Sequence, residues 1–458
     1  MTSVQYRSMM ASSDTIIWHI EEDPHLRSTV MAIWELDAAP TSHRMTESLD
    51  RMVAAIPRLR QRVEPGRPRP RWVDVDRVDL ARHFVERDLG GSGAIEQVHD
   101  FSSEWVRQPF DRAHPQWGLA LVRGLAGGRA AIVIKVHHAI ADGIGLVLML
   151  AAFTDVEPNP ERPIAIDDVI ALPVPREAYR PLRRLWFKAR RSTRTFVRAP
   201  IASTCATAET IGSALRLVWP SRKPLSPRMT ARSGRLILDT RTIPFRAFRT
   251  AGRQVGGTLN DAFVTVVVDA IARYHSALSR DPAALDRVRV HMPVDVRSGR
   301  TANVAGNEFV PARVVLNVPG GDVVQRLGAI QSQLLELQRE PALTHINTVA
   351  AAVLKLGKKP TQWILGGMMK GVDVLASNVP GPNFPLYVAG VKVERFHAFG
   401  PPAGAALNVT LFSYDGSVNL GITTDEAAVT DRELFLRCLD EAVAELLAIN
   451  DHAVALTA

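Results

Sequence analysis

Apolar residues along this chain fall into short β-branched runs and longer stretches with a period near 3.6, and the two kinds alternate. The run Ala130–Val136 (Ala-Ala-Ile-Val-Ile-Lys-Val) is bounded by turn residues and predicts a buried strand. Leu119–Leu125 predicts another strand, joined to it through a turn at Gly127-Gly128. Arg44–Ala55 predicts a helix stopped by Pro57, and Leu146–Phe153 a second, apolar helical segment. Further on, Arg235–Asp239 and Val288–Met292 read as strands. Asn260–Ala277 reads as a helix begun at Thr258, where Thr258-Leu259-Asn260-Asp261 has the form of a capping box. Leu407–Tyr414 and Val418–Thr423 predict a hairpin around Asp415-Gly416, and Asp431–Ile449 an amphipathic closing helix.

Alternation of strands and helices gives an α/β fold class. Between them, Pro158, Pro160, Pro163, Pro173, Pro175 and Pro181 break regular structure, as do Pro220, Pro224 and Pro227. The expected division is therefore 1–155, a crossover at 156–230, and 231–458. No short-period repeat is visible.

Composition narrows the classes. A chain of 458 residues with 46% hydrophobic and 22% charged residues has room for two folded domains. Two cysteines, Cys205 and Cys438, supply neither a disulfide framework nor a CxxC metal spacing, which suits a reducing compartment. The N-terminal stretch Ser13-Asp14-Thr15-Ile16-Ile17-Trp18-His19 is broken by polar groups before a secretory apolar run develops. The apolar stretch near Ile144 to Phe153 is half of the roughly 20 residues that span a bilayer, so no crossing is expected. The net charge of +8 is local: 176–198 holds nine basic residues and one acid, Glu177. The rest of the chain is formally neutral, and a general nucleic-acid surface is not implied.

Candidate chemistry sits after the strongest strand. His137 and His138 stand at its end, followed by Asp142-Gly143, which reverses the chain. Neighbouring strand residues point to opposite faces, so one of the pair can face a given cavity. A neutral imidazole there is suited to take a proton from an alcohol or amine that attacks a carbonyl. Asp142 can orient a histidine or anchor the turn by pairing with an arginine. Diverging histidines with no third ligand at helical spacing speak against a metal site.

The full string His137-His138-Ala139-Ile140-Ala141-Asp142-Gly143 matches the HHxxxDG signature of CoA-dependent acyltransferases. More narrowly, the chain resembles the bacterial wax ester synthase/diacylglycerol acyltransferase family over nearly its whole length. Ser13-Asp14, Ile56–Arg62, Asn260-Asp261, Pro293–Arg297, Gly306-Asn307 and Ser377–Pro382 resemble that family's motifs in family order. Pro115-Gln116-Trp117 departs from its Pro-Leu-Trp motif at Gln116.

That resemblance implies two chloramphenicol-acetyltransferase-like domains with a tunnel at their interface. Acyl-CoA enters as co-substrate, with no cofactor, and meets diacylglycerol or a fatty alcohol; His138 is the base and no acyl-enzyme forms. His137 is then a packing or orienting residue. Asp142 holds its loop, with Arg297 as candidate partner. Asn260-Asp261 reads either as a helix cap or as a substrate-side group, with Asn260 a candidate oxyanion donor. Ser377 and Asn378 suit a channel-lining strand end, and Trp117 reads as core or as an acyl-chain contact. Acyl transfer to another specialised alcohol or amine, or a silent lipid-binding paralogue, are the other readings. In the basic stretch Leu182, Leu185, Trp186 and Ala189 share one helical face, with arginines around it. It reads as an anionic membrane or lipid-inclusion contact, a solvated crossover helix, or a dock for CoA phosphates. The expected location is cytoplasmic, at the inner membrane face or on inclusions.

Overall fold

The computed structural model describes residues 7–67, 69–140, 151–160, 223–281, 285–295, 309–337 and 353–457. The first part contains strands β1 (Arg7–Met9), β2 (Thr29–Leu36), β3 (Gln61–Glu64), β4 (Arg71–Asp74), β5 (Phe84–Asp88), β6 (Trp117–Arg123) and β7 (Ala130–His137). Its helices are α1 (Ser12–Ile20), α2 (Ser42–Ala55), α3 (Leu80–His83) and α4 (Ile95–Arg107). The second part has β8 (Leu236–Pro244), β9 (Arg287–Asp295), β10 (Phe309–Asn317), β11 (Val374–Pro380), β12 (Tyr387–Val388), β13 (Val391–Phe399), β14 (Leu407–Tyr414) and β15 (Ser417–Asp425). Its long helices are α5 (Phe245–Gln254), α6 (Leu259–Ser279), α7 (Val323–Leu337) and α8 (Arg432–Thr457).

Two six-stranded sheets result, ordered β12-β13-β2-β7-β6-β5 and β10-β9-β11-β14-β15-β8, beside a small sheet β1-β4-β3. The α/β class is as the sequence indicated. The sheets do not strictly follow the two halves of the chain, because β12 and β13 lie within 231–458 and complete the first sheet. β13 runs antiparallel to β2, pairing Phe399 with Met31 and Phe396 with Trp34. It also packs on the second sheet, with the Phe396 and Phe412 rings 4.1 Å apart. There Gly421 lies so near β13 that a Cβ would stand 2.1 Å from the Ala398 carbonyl oxygen, so only glycine fits.

β7 is central because both its faces are covered. Ala130, Ile132, Ile134 and Val136 join Met45, Leu49 and Met52 of α2. Ala131 and Val133 join Val98 and Val106 of α4. Each buried aliphatic side chain contributes about 1.5–3 kcal/mol, and the alternation fixes the strand's register. Lys135 lies on the α4 face and donates to the Trp105 and Gln108 carbonyls at 3.0 and 3.2 Å. Burial lowers its pKa to about 8.

Local signals were followed closely. Thr41 caps α2 by accepting from the Arg44 N–H. Thr258 and Asp261 form the expected capping box of α6. Asp415 and Gly416 take φ of 41° and 77°, the left-handed pair that a tight hairpin turn needs. Asp431 begins α8 by accepting from the Leu434 N–H at 2.9 Å. Among the described residues no single helix is long and apolar enough to cross a membrane. The expected helix at Leu146–Phe153 falls mostly outside the described residues, and the basic stretch 176–198 wholly outside them.

Candidate active site

The histidine pair sits where β7 ends and its neighbours hold it. Thr29 pairs with His137 across β2 and β7. The His137 N–H donates to the Gln116 carbonyl at 2.9 Å, and the His138 N–H to the Ser28 carbonyl at 2.7 Å. A turn follows at once, closed by the Ile140 N–H on the His137 carbonyl at 2.9 Å. The Gln116 amide, the departure from the family motif, is buried and donates to the Asp111 carbonyl at 2.8 Å. It thereby ties down the loop that carries this acceptor.

The two residues differ in burial. His137 is fully buried, whereas His138 keeps partial exposure. His137 Nδ1 accepts the Ala139 N–H at 3.0 Å. Its Nε2 lies 2.7 Å from Glu21 Oε2, with the oxygen somewhat off the line of the ring N–H. Trp18 meets the His137 ring edge-on at 5.1 Å, and Phe110 lies at 6.5 Å. Arg112 stacks over Trp18 at 4.7 Å and pairs with Glu21 at 3.3 Å. Burial alone pushes the Glu21 carboxyl up; the contact with His137 and the Arg112 guanidinium outweigh it, and the net shift is downward. Glu21 is therefore an anion.

His138 is shifted the other way from an ordinary imidazole. Burial penalises its cation, the neighbouring His137 adds to this, and the pKa falls to about 4. The ring is neutral at any ordinary pH. Asp142, Gly143 and Arg297 lie outside the described residues.

Two of the remaining candidates come together. Asn378, on β11, donates from its amide to Asn260 Oδ1, in the first turn of α6, at 3.5 Å, a long hydrogen bond. Ser377 precedes Asn378 and is partly buried. Asp261 is occupied differently. Its Oδ2 accepts from the Thr258 N–H at 2.8 Å and hydroxyl at 2.9 Å, so its position is that of a helix cap. Burial raises the Asp261 carboxyl, against the lowering effect of those Thr258 bonds. Trp117 is 3% exposed, donates its indole N–H to the Leu59 carbonyl at 3.0 Å, and stacks on His83 at 4.4 Å. Of the two readings of Trp117, its placement fits core rather than an acyl-chain contact.

A small cleft with about 40 Å³ of internal space is lined by Pro24, His25, Arg27 and Thr29 on one side and by Arg232, Gly234 and Pro402 on the other. Ser28, whose carbonyl holds His138, follows Arg27 directly. Among the described residues no group of three or more His, Cys, Asp or Glu side chains is placed to hold a metal. Glu21, Trp18 and Arg112 were not singled out from the sequence. The one visible trace was the acidic run Glu21-Glu22-Asp23 directly after a predominantly apolar segment.

Comparison with known proteins bears on the family and the fold. Residues 10–263 match the wax ester synthase/diacylglycerol acyltransferase catalytic domain, and residues 305–447 match the WS/DGAT C-terminal domain. A Mycobacterium tuberculosis protein carrying a diacylglycerol O-acyltransferase name is 30% identical over 95% of this chain and 91% of its own length. The protein of that organism called tgs1, which carries the same kind of name, is 26% identical over 93% of both chains. The fold matches the wax ester synthase/diacylglycerol acyltransferase from Marinobacter aquaeolei VT8 at a TM-score of 0.64, with 20% identity over 97% of this chain and 99% of that one. It also matches the first condensation domain of the calcium-dependent antibiotic synthetase at 0.61, with 16% identity over 97% and 96% of the two chains. The chain is an acyltransferase and belongs to the wax ester synthase/diacylglycerol acyltransferase family.

Proposed function

We propose that the enzyme moves a long-chain acyl group from acyl-CoA to the hydroxyl of diacylglycerol or a fatty alcohol, with His138 as general base. One observation carries the assignment within the pair. His137 is sealed, accepts the Ala139 N–H at Nδ1 and has the Glu21 carboxylate 2.7 Å from Nε2, whereas His138 keeps partial exposure. His138 takes the proton as the acceptor oxygen attacks the thioester carbonyl. The tetrahedral oxyanion collapses, the carbon–sulfur bond breaks, and the thiolate recovers a proton from the imidazolium. No acyl-enzyme is formed, and no cofactor is needed.

The Asn260–Asn378 pair is the proposed polar contact for substrate or oxyanion. Such donors contribute roughly 2.7–4 kcal/mol where they have been removed elsewhere. Ser377 is proposed to line the same channel, and Asp142 to hold the turn at Gly143 with Arg297 as its partner. The choice between diacylglycerol and fatty alcohol follows the names of the relatives. The test is release of CoA thiol from long-chain acyl-CoA plus either acceptor. His138→Ala is expected to lower the rate at least 10²-fold while the circular dichroism spectrum is unchanged. Retained turnover would remove His138 from the reaction.

A further inference from the structure

A carboxylate, a buried ring and a backbone N–H are linked in series behind His138. Because the Ala139 N–H is a donor, His137 Nδ1 at 3.0 Å must be the unprotonated nitrogen. The ring proton of neutral His137 is therefore on Nε2, the atom that faces Glu21 at 2.7 Å. Glu21 in turn is held by Arg112 at 3.3 Å, and the Trp18 ring lies against His137 under the same arginine. The far end of the series is the peptide that follows His138. The turn 137–140 thus hangs from the His137 ring as well as from its own bond between Ile140 and His137.

We propose that Glu21 is a positioning residue for acyl transfer, acting through His137 on the turn that presents His138. Glu21 fixes the tautomer, the tautomer leaves Nδ1 free to accept, and that acceptor holds the Ala139 amide. Without the carboxylate the buried ring can carry its proton on Nδ1 instead. Two donors then face each other at Ala139, the turn relaxes, and the His138 ring moves with it. Misplacement by 1 Å is enough to cost a reaction about 10²-fold. The inference rests on the proposed role of His138.

The test compares Glu21→Gln, Glu21→Ala, His137→Asn and the double variant Glu21→Ala/His137→Asn, all in the full chain. An asparagine oxygen can accept the Ala139 N–H and needs no carboxylate to choose its tautomer. Glu21→Ala is expected to lower kcat by about tenfold or more with KM for acyl-CoA within twofold, because the loss is one of alignment. Glu21→Gln, nearly the same shape and still able to accept from Nε2, is expected to lose less and guards against a misfolded alanine variant. In the His137→Asn background, adding Glu21→Ala is expected to change kcat by less than twofold. The ¹⁵N signals of His137 should show the Nε2-protonated tautomer in the parent and a mixture in Glu21→Ala. A kcat within twofold of the parent in folded Glu21→Ala, or losses that multiply in the double variant, would overturn the proposal. If His138→Ala retains activity, the role of His138 fails first, and that result is separable from either of these.

Discussion

The depressed pKa of His138 gives a test that needs no substitution. At a pKa of about 4 the imidazole is about 90% unprotonated at pH 5, whereas at the ordinary 6.5 it would be about 3% unprotonated. The acid limb of kcat/KM reports the free enzyme, so it is the quantity to follow. Relative to pH 7, activity at pH 5 should stand near 90% with the depressed value and near 4% with the ordinary one, a gap of about twentyfold. The assay is thiol release from acyl-CoA at limiting substrate, with a discontinuous readout so that the thiol reagent sees one pH. Aliquots held at pH 5 and returned to pH 7 must regain full rate, which separates titration from unfolding. An acid limb centred near 6.5 in a protein that stays folded would refute the reasoning. It would mean that burial does not suppress the His138 cation, or that another group is the base.

His291 on β9 is fully buried, with neither ring nitrogen hydrogen-bonded among the described residues, and burial lowers its pKa to about 3. Below about 6.5 the unfolded chain binds this proton and the folded one does not, so stability falls as pH drops toward 3, by about 2 kcal/mol between pH 7 and pH 5. Urea unfolding at both pH values should show that slope in the parent and lose it in His291→Leu; equal slopes would dismiss the explanation. Peripheral attachment through 176–198 remains a proposal resting on charge and on the apolar face of Leu182, Leu185 and Trp186. Neutralising Arg183, Arg184, Arg190 and Arg191 should abolish co-sedimentation with anionic vesicles, and unchanged binding would remove the idea.

Local rules carried the elements that announce themselves with local chemistry. The β-branched run ending at His137, the capping box at Thr258 and the Asp415-Gly416 turn were all readable, because each depends on residues close together in the sequence. β2 was not, although Thr29–Leu36 is an eight-residue strand. Its flanking prolines, Pro24 and Pro40, stand several residues off, and its role comes from partners near 134 and 396. The same holds for the site. The histidine pair was legible as a string, but the carboxylate on His137 comes from 116 residues earlier in the chain, at Glu21. Asp142 was nearer in sequence and was the natural candidate for an orienting role. Asn260 and Asn378 were each singled out by motif, while their contact is a product of β11 running beside the first turn of α6.

The strand β13 has a mechanical consequence. It is zipped to β2 along one edge and wedged against β14 and β15 on its face, with Gly421 leaving no slack. Prising the two sheets apart like a bivalve would have to unzip that ladder, a cost of several hydrogen bonds at about 1 kcal/mol each. Separating the sheets therefore belongs to unfolding rather than to an opening motion of the folded chain.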